Sequence, residues 1–83
     1  MPWLHVIWDS VSPDGNLAHI EAHGLTADDV ERVLWEPDGT DMSRSTGWPV
    51  AFGHINDGRL ICVVYQRIDD ITVMPVTAFE VEE

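Results

Sequence analysis

Eighty-three residues carry fifteen carboxylates against four arginines and no lysine, a net charge of −11. Fifteen carboxylates repel a polyanion within the screening length of about 8–10 Å, which excludes long-range attraction to nucleic acid as the force that brings a ligand here. A chain of this length makes one domain, residues 1–83, with a modest core that hides roughly 60–65% of its unfolded surface.

Residues 3–8 read as a short strand. Leu4, Val6 and Trp8 point to one side, Trp3, His5 and Ile7 to the other. Ser12-Pro13-Asp14-Gly15 is turn chemistry. Residues 16–23 form a short helix, with Leu17 and Ile20 on one face, and Gly24 supplies the left-handed stop. Thr26 opens a second helix by accepting from the Asp29 amide, and Asp28 and Asp29 suit the positive end of its dipole. Val30, Val33 and Leu34 give this helix its buried stripe, Trp35 is placed at the end of it, and Pro37-Asp38-Gly39 closes it.

The second half is β. Strands are expected at 49–55, 59–68 and 71–79, with turns at Asn56-Asp57-Gly58 and Asp69-Asp70. Residues 60–65 are apolar on both faces, so this strand belongs inside the sheet. Pro75 removes a ladder donor and argues for an edge or a bulge. Residues 40–48 are a loop or a weak strand. The expected architecture is an α+β two-layer domain of order β-α-α-β-β-β, two helices packed on an antiparallel sheet.

The single cysteine, Cys62, is a buried apolar filler by its strand context. The first residues lack the basic and apolar regions of a leader, and no run approaches the ~18 apolar residues of a membrane span, so the cytoplasm is the expected compartment and no membrane is an expected partner. His19 and His23 have metal-ligand spacing, but the zincin pattern H-E-x-x-H is absent and no third ligand is nearby; no metal or cofactor is expected.

An ordered set of motifs carries a resemblance: Trp8-Asp9, Asn16-Leu17, His23-Gly24-Leu25-Thr26, a short acidic helix, Gly53, Val63-Val64-Tyr65, then Val76-Thr77-Ala78. This set resembles the BrnT toxins over nearly the whole chain. The resemblance implies a RelE-like fold, the toxin component of a type II toxin-antitoxin system, metal-independent endoribonuclease activity on translated messages, and a cognate antitoxin protein as partner. The family's basic positions are altered here. Ala22 stands where Lys precedes the His-Gly pair, and Met74 and Phe79 stand where Arg is expected in the last strand.

Metal-independent RNA cleavage needs a base for the 2′-hydroxyl proton, an acid for the leaving oxygen and cations for the developing charge. The candidates are Arg44, Tyr65, Arg67 and His54. Tyr65 and Arg67 lie two apart on one strand and share a face, His54 is on the adjacent strand, and Arg44 precedes the strands. Against this, Arg67 beside Asp69-Asp70 and Arg59 beside Asp57 read equally well as solvated ion pairs. Trp48, between Gly47 and Pro49, has no core role in the sequence and is the candidate partner-binding residue. Two functions follow. One is a BrnT-like ribonuclease held by its antitoxin; the other is a non-catalytic interaction or regulatory module on the same fold, with weak RNA contact at most. Pro75 and Glu80 argue for a protected edge at the last strand, and a homodimer through the first strand or through Trp48 is also allowed.

Overall fold

The computed structural model describes residues 5–9, 11–12, 14–43 and 47–82. Seven elements follow in order: β1 His5–Val6, α1 Asn16–Ala22, α2 Ala27–Trp35, β2 Gly39–Met42, β3 Pro49–His54, β4 Leu60–Asp69 and β5 Thr72–Val81. The strands form one sheet in the order β1-β5-β4-β3-β2. Two helices packed on a sheet agree with the α+β expectation, but the strand order differs. The expected meander of three strands has four, because residues 39–42 pair with β3 as a strand of their own. The sheet is mixed rather than antiparallel, since β1 runs parallel to β5. Leu4 and Trp3 lie outside the described residues. Over residues 5–8 the expected alternation holds: Val6 and Trp8 pack against the core while His5 and Ile7 are exposed.

Local chemistry explains both helices. Gly24 takes a φ of +80° after α1. Its N–H donates to the Glu21 carbonyl and the Leu25 N–H reaches back to Ile20. This is a Schellman stop, closed by burial of both Ile20 and Leu25. Thr26 and Asp29 form a reciprocal capping box at the start of α2: the Asp29 N–H donates to Thr26 Oγ1 at 3.2 Å, and the Thr26 N–H to Asp29 Oδ2 at 3.1 Å.

The core lies between the helices and one face of the sheet. Ile20, Leu25, Val30, Val33 and Leu34 meet Ala51, Ile61, Val63, Val73 and Ala78 there. Full burial of each larger aliphatic is worth roughly 1.5–3 kcal/mol. Trp35 is a correction: it is 43% exposed rather than part of the buried stripe. At 100° per residue it stands about 200° around the helix from Val33, on the outer side. The Trp8 indole N–H instead ties to α2 through Glu31, at 2.7 Å.

Asn16, the first residue of α1, joins three segments. Its Nδ2 donates to the carbonyls of Ile7 (2.9 Å) and Pro75 (2.8 Å), and its Oδ1 accepts from the Asp9 N–H at 2.8 Å. The N–H groups of His5 and Ile7 already serve the carbonyls of Ile71 and Val73. The Asn16 side chain therefore continues the β1 ladder by one more rung. Pro75 does sit opposite a register irregularity, next to Val64/Tyr65, as its missing donor requires. Replacement of Asn16 by Ala leaves these groups unpaired and should cost about 1–3 kcal/mol in urea unfolding; an unchanged midpoint would show the clamp to be idle.

Candidate functional site

The two faces of the sheet decide what the candidate residues can do. Gly53 lies against α2 so closely that an added Cβ would stand 3.3 Å from Val33 Cγ1. Strand alternation then sends Phe52 and His54 to the opposite face. On β4, Ile61, Val63 and Tyr65 enter the core, and Cys62, Val64 and Gln66 face away.

Tyr65 is only 7% exposed and belongs to the core cluster. Burial pushes its phenol above the ordinary value, the wrong direction for a proton acceptor. His54 stands at the other end of β3, paired across to Leu60, whereas Val64, next to Tyr65, is paired to Val50. The two are separated by several residues along the strands, roughly 15 Å at about 3.4 Å per residue, and by the thickness of the sheet. His54 Nδ1 lies 2.8 Å from Asp38 Oδ2, and this contact lowers the Asp38 carboxyl.

Arg67 is exposed at the end of β4. Its guanidinium pairs with the Asp70 carboxylate, and its Nε donates to the Asp69 carbonyl at 3.4 Å. Arg59 is held by Asp57 at 2.7 Å, with Glu80 at 3.8 Å. Both arginines thus occupy the ion pairs that their neighbours suggested. Arg44 lies outside the described residues. The structure does not bring Tyr65 and His54 together, and Arg67 shares the parity of Tyr65 without its burial.

Among the described residues no group of three or more His, Cys, Asp and Glu side chains could hold a metal ion. His19 and His23 instead meet edge to face, with ring centres 5.2 Å apart. Cys62 is buried, and burial raises its thiol. No helix among the described residues is long and apolar enough to cross a membrane.

The helix-free face has more to offer. Phe52, Val64, Phe79 and Val81 lie on it, and Phe79 is 39% exposed. Toward the β1 side it holds a concavity of about 550 Å³ walled by Ile7, Trp48, Met74 and Val76. A second hollow, of about 370 Å³, shares Trp48 and Gln66 with the first and extends to Arg67 and Ile68. Trp48, half-buried, thus lines both hollows of this groove. The sequence singled out Trp48; it did not disclose the groove, whose walls come from four separate segments.

No family model, curated protein or solved structure matches the chain.

Electrostatics at the β4–β5 turn gives a check on these placements. The Asp69 carboxylate accepts from the Ile71 N–H at 3.0 Å, and this bond, with that to Thr72, holds its pKa below the ordinary carboxylate value. A lowered folded-state pKa stabilises above the unfolded value and loses that contribution as pH falls through the folded one. Asp69→Asn keeps an acceptor but removes the charge. It should unfold at lower urea than the parent near about pH 7, and the two should converge as pH falls through the lowered folded-state pKa of Asp69. A gap that persists in acid would assign the effect to something other than this charge.

Proposed function

We propose that the chain is a non-catalytic interaction module on a RelE-like scaffold of the BrnT pattern, and that it binds a protein partner through the helix-free face of its sheet. The observation that carries this reading is the orientation of Tyr65. Tyr65, a candidate for proton transfer, is packed in the core, on the face opposite His54. Cleavage requires acid, base and cation around one phosphate, and a buried phenol with a raised pKa does not serve a surface substrate.

Charge supports the same reading. Of the described arginines, Arg59 and Arg67 are already neutralised by aspartates, and the chain as a whole is at −11. A phosphate near Arg67 also meets Asp70. The apolar strip of Phe52, Val64 and Phe79 with half-buried Trp48 has the character of an interface centre, where aromatic side chains dominate binding. A partner encoded by the neighbouring gene, in the position that an antitoxin would hold, is the natural occupant. Pairing of two copies is opposed by their like charge.

Expression in a bacterium without the neighbouring gene should not arrest growth. Purified protein and its Arg67→Ala variant should leave RNA at the same background level at low salt. Growth arrest relieved by the neighbouring gene, with RNA cleavage lost in Arg67→Ala, would restore the ribonuclease.

A further inference from the structure

We infer that the groove at Trp48 takes an extended segment of a partner protein that carries an arginine or lysine beside an apolar anchor. The inference rests on the interaction reading above and adds the chemistry and direction of what binds.

Shape selects a chain segment. The two hollows share Trp48 and Gln66 in their walls, and together they span from the start of α1 across the sheet to the end of β4. A compact small molecule would fill one hollow; a stretch of polypeptide fills both. The apolar walls, Ile7, Trp48, Met74 and Val76, suit a large aliphatic or aromatic side chain.

Charge selects the sign and the orientation. Asp9 and Asp14 stand with His19 at the α1 end of the groove, and the described lining there includes no arginine. The Asp9 carboxylate is partly committed, since its Oδ1 accepts from the Val11 and Ser12 N–H groups at 3.1 Å. The Asp14 side chain is exposed and makes no hydrogen bond or ion pair among the described residues. At the opposite end the guanidinium of Arg67 is balanced by Asp70. A cationic side chain therefore belongs at the Asp9–Asp14 end, with the apolar anchor against Trp48 and the segment continuing toward Ile68, which is itself half exposed. The remaining negative charge of the molecule steers such a segment inward and turns away acidic ones. A second copy of this chain fits poorly, because it brings the same excess of carboxylate.

The test is a titration of isotope-labelled protein, followed by NMR, with three probes. The first is a synthetic peptide of about a dozen residues with alternating Lys and Leu around one Phe; the second replaces every Lys by Glu; the third is a short RNA oligonucleotide. The cationic peptide should shift the Trp48 indole N–H and the Met74 and Val76 methyls. It should bind at least about ten-fold tighter than its acidic counterpart and weaken as salt rises. Asp14→Lys, a change at an exposed side chain, should weaken it about five-fold or more; Trp48→Ala should abolish it, and the parent-like spectrum of Asp14→Lys guards against an answer that reflects misfolding. Equal binding of the acidic peptide in the same groove would overturn the charge assignment and leave the interaction reading standing. Shifts confined to other surfaces, or none with either peptide, would overturn the groove as the docking site. Binding of RNA alone would overturn both.

Discussion

The close approach of Val33 to Gly53 is the constraint on which the rest of this structure depends. It sets α2 directly on β3, where a methyl group at residue 53 would already crowd the valine. Once that contact defines the inside of the sheet, alternation carries the choice along β3 and across to β4. Ala51, Ile61, Val63 and Tyr65 must go in; Phe52, His54, Cys62 and Val64 must go out. The functional reading follows from that partition. A tyrosine placed inside cannot meet a phosphate held outside, and the apolar residues placed outside have no cover from the helices.

A second constraint shapes the edge of that outer face. Among the described residues β1 pairs with β5 at two positions, and Pro75 cannot donate. The Asn16 amide supplies what the strand lacks, by holding the Pro75 and Ile7 carbonyls at once. Gly15, immediately before it, is equally confined: a Cβ there would stand 2.7 Å from the Asp9 carbonyl oxygen. The groove wall formed by Ile7, Met74 and Val76 is thus tied to the start of α1 by the Asn16 side chain. The same few residues bring Asp9 and Asp14 to the groove's end.

Local features of this fold were legible in the sequence, and non-local ones were not. The glycine stop at Gly24 and the Thr26 cap on the Asp29 N–H depend on neighbours a few residues apart, and both are present as the sequence suggests; the return bond from the Thr26 N–H to Asp29 is added by the structure. β2 was indistinct because Gly39-Thr40-Asp41-Met42 has no apolar face; it is exposed throughout and is a strand only through its pairing with β3. The parallel pairing of β1 with β5 joins residues at the two ends of the chain, and no local pattern encodes it. At the site, the shared face of Tyr65 and Arg67 could be read from spacing. Which face that is could not, because residues 60–65 are apolar on both sides and the choice is made by Gly53 on another strand. The ion pairs of Arg59 and Arg67 were legible from adjacent aspartates; the groove, built from four segments, was not.

The excess of carboxylate acquires a meaning from this arrangement. Under the proposed function it opposes a nucleic acid and a second copy alike, and it would favour a cationic partner at the largely apolar face. The central claim, that the sole tyrosine of the chain lies within the core and takes no part in proton transfer, can be measured directly. Tyrosinate formation followed by ultraviolet absorbance reports Tyr65 alone. The account predicts a midpoint above the ordinary value of 10.0, reached together with alkaline unfolding. A midpoint at or below that value in the folded protein would place the phenol in solvent or beside a cation, and would contradict it.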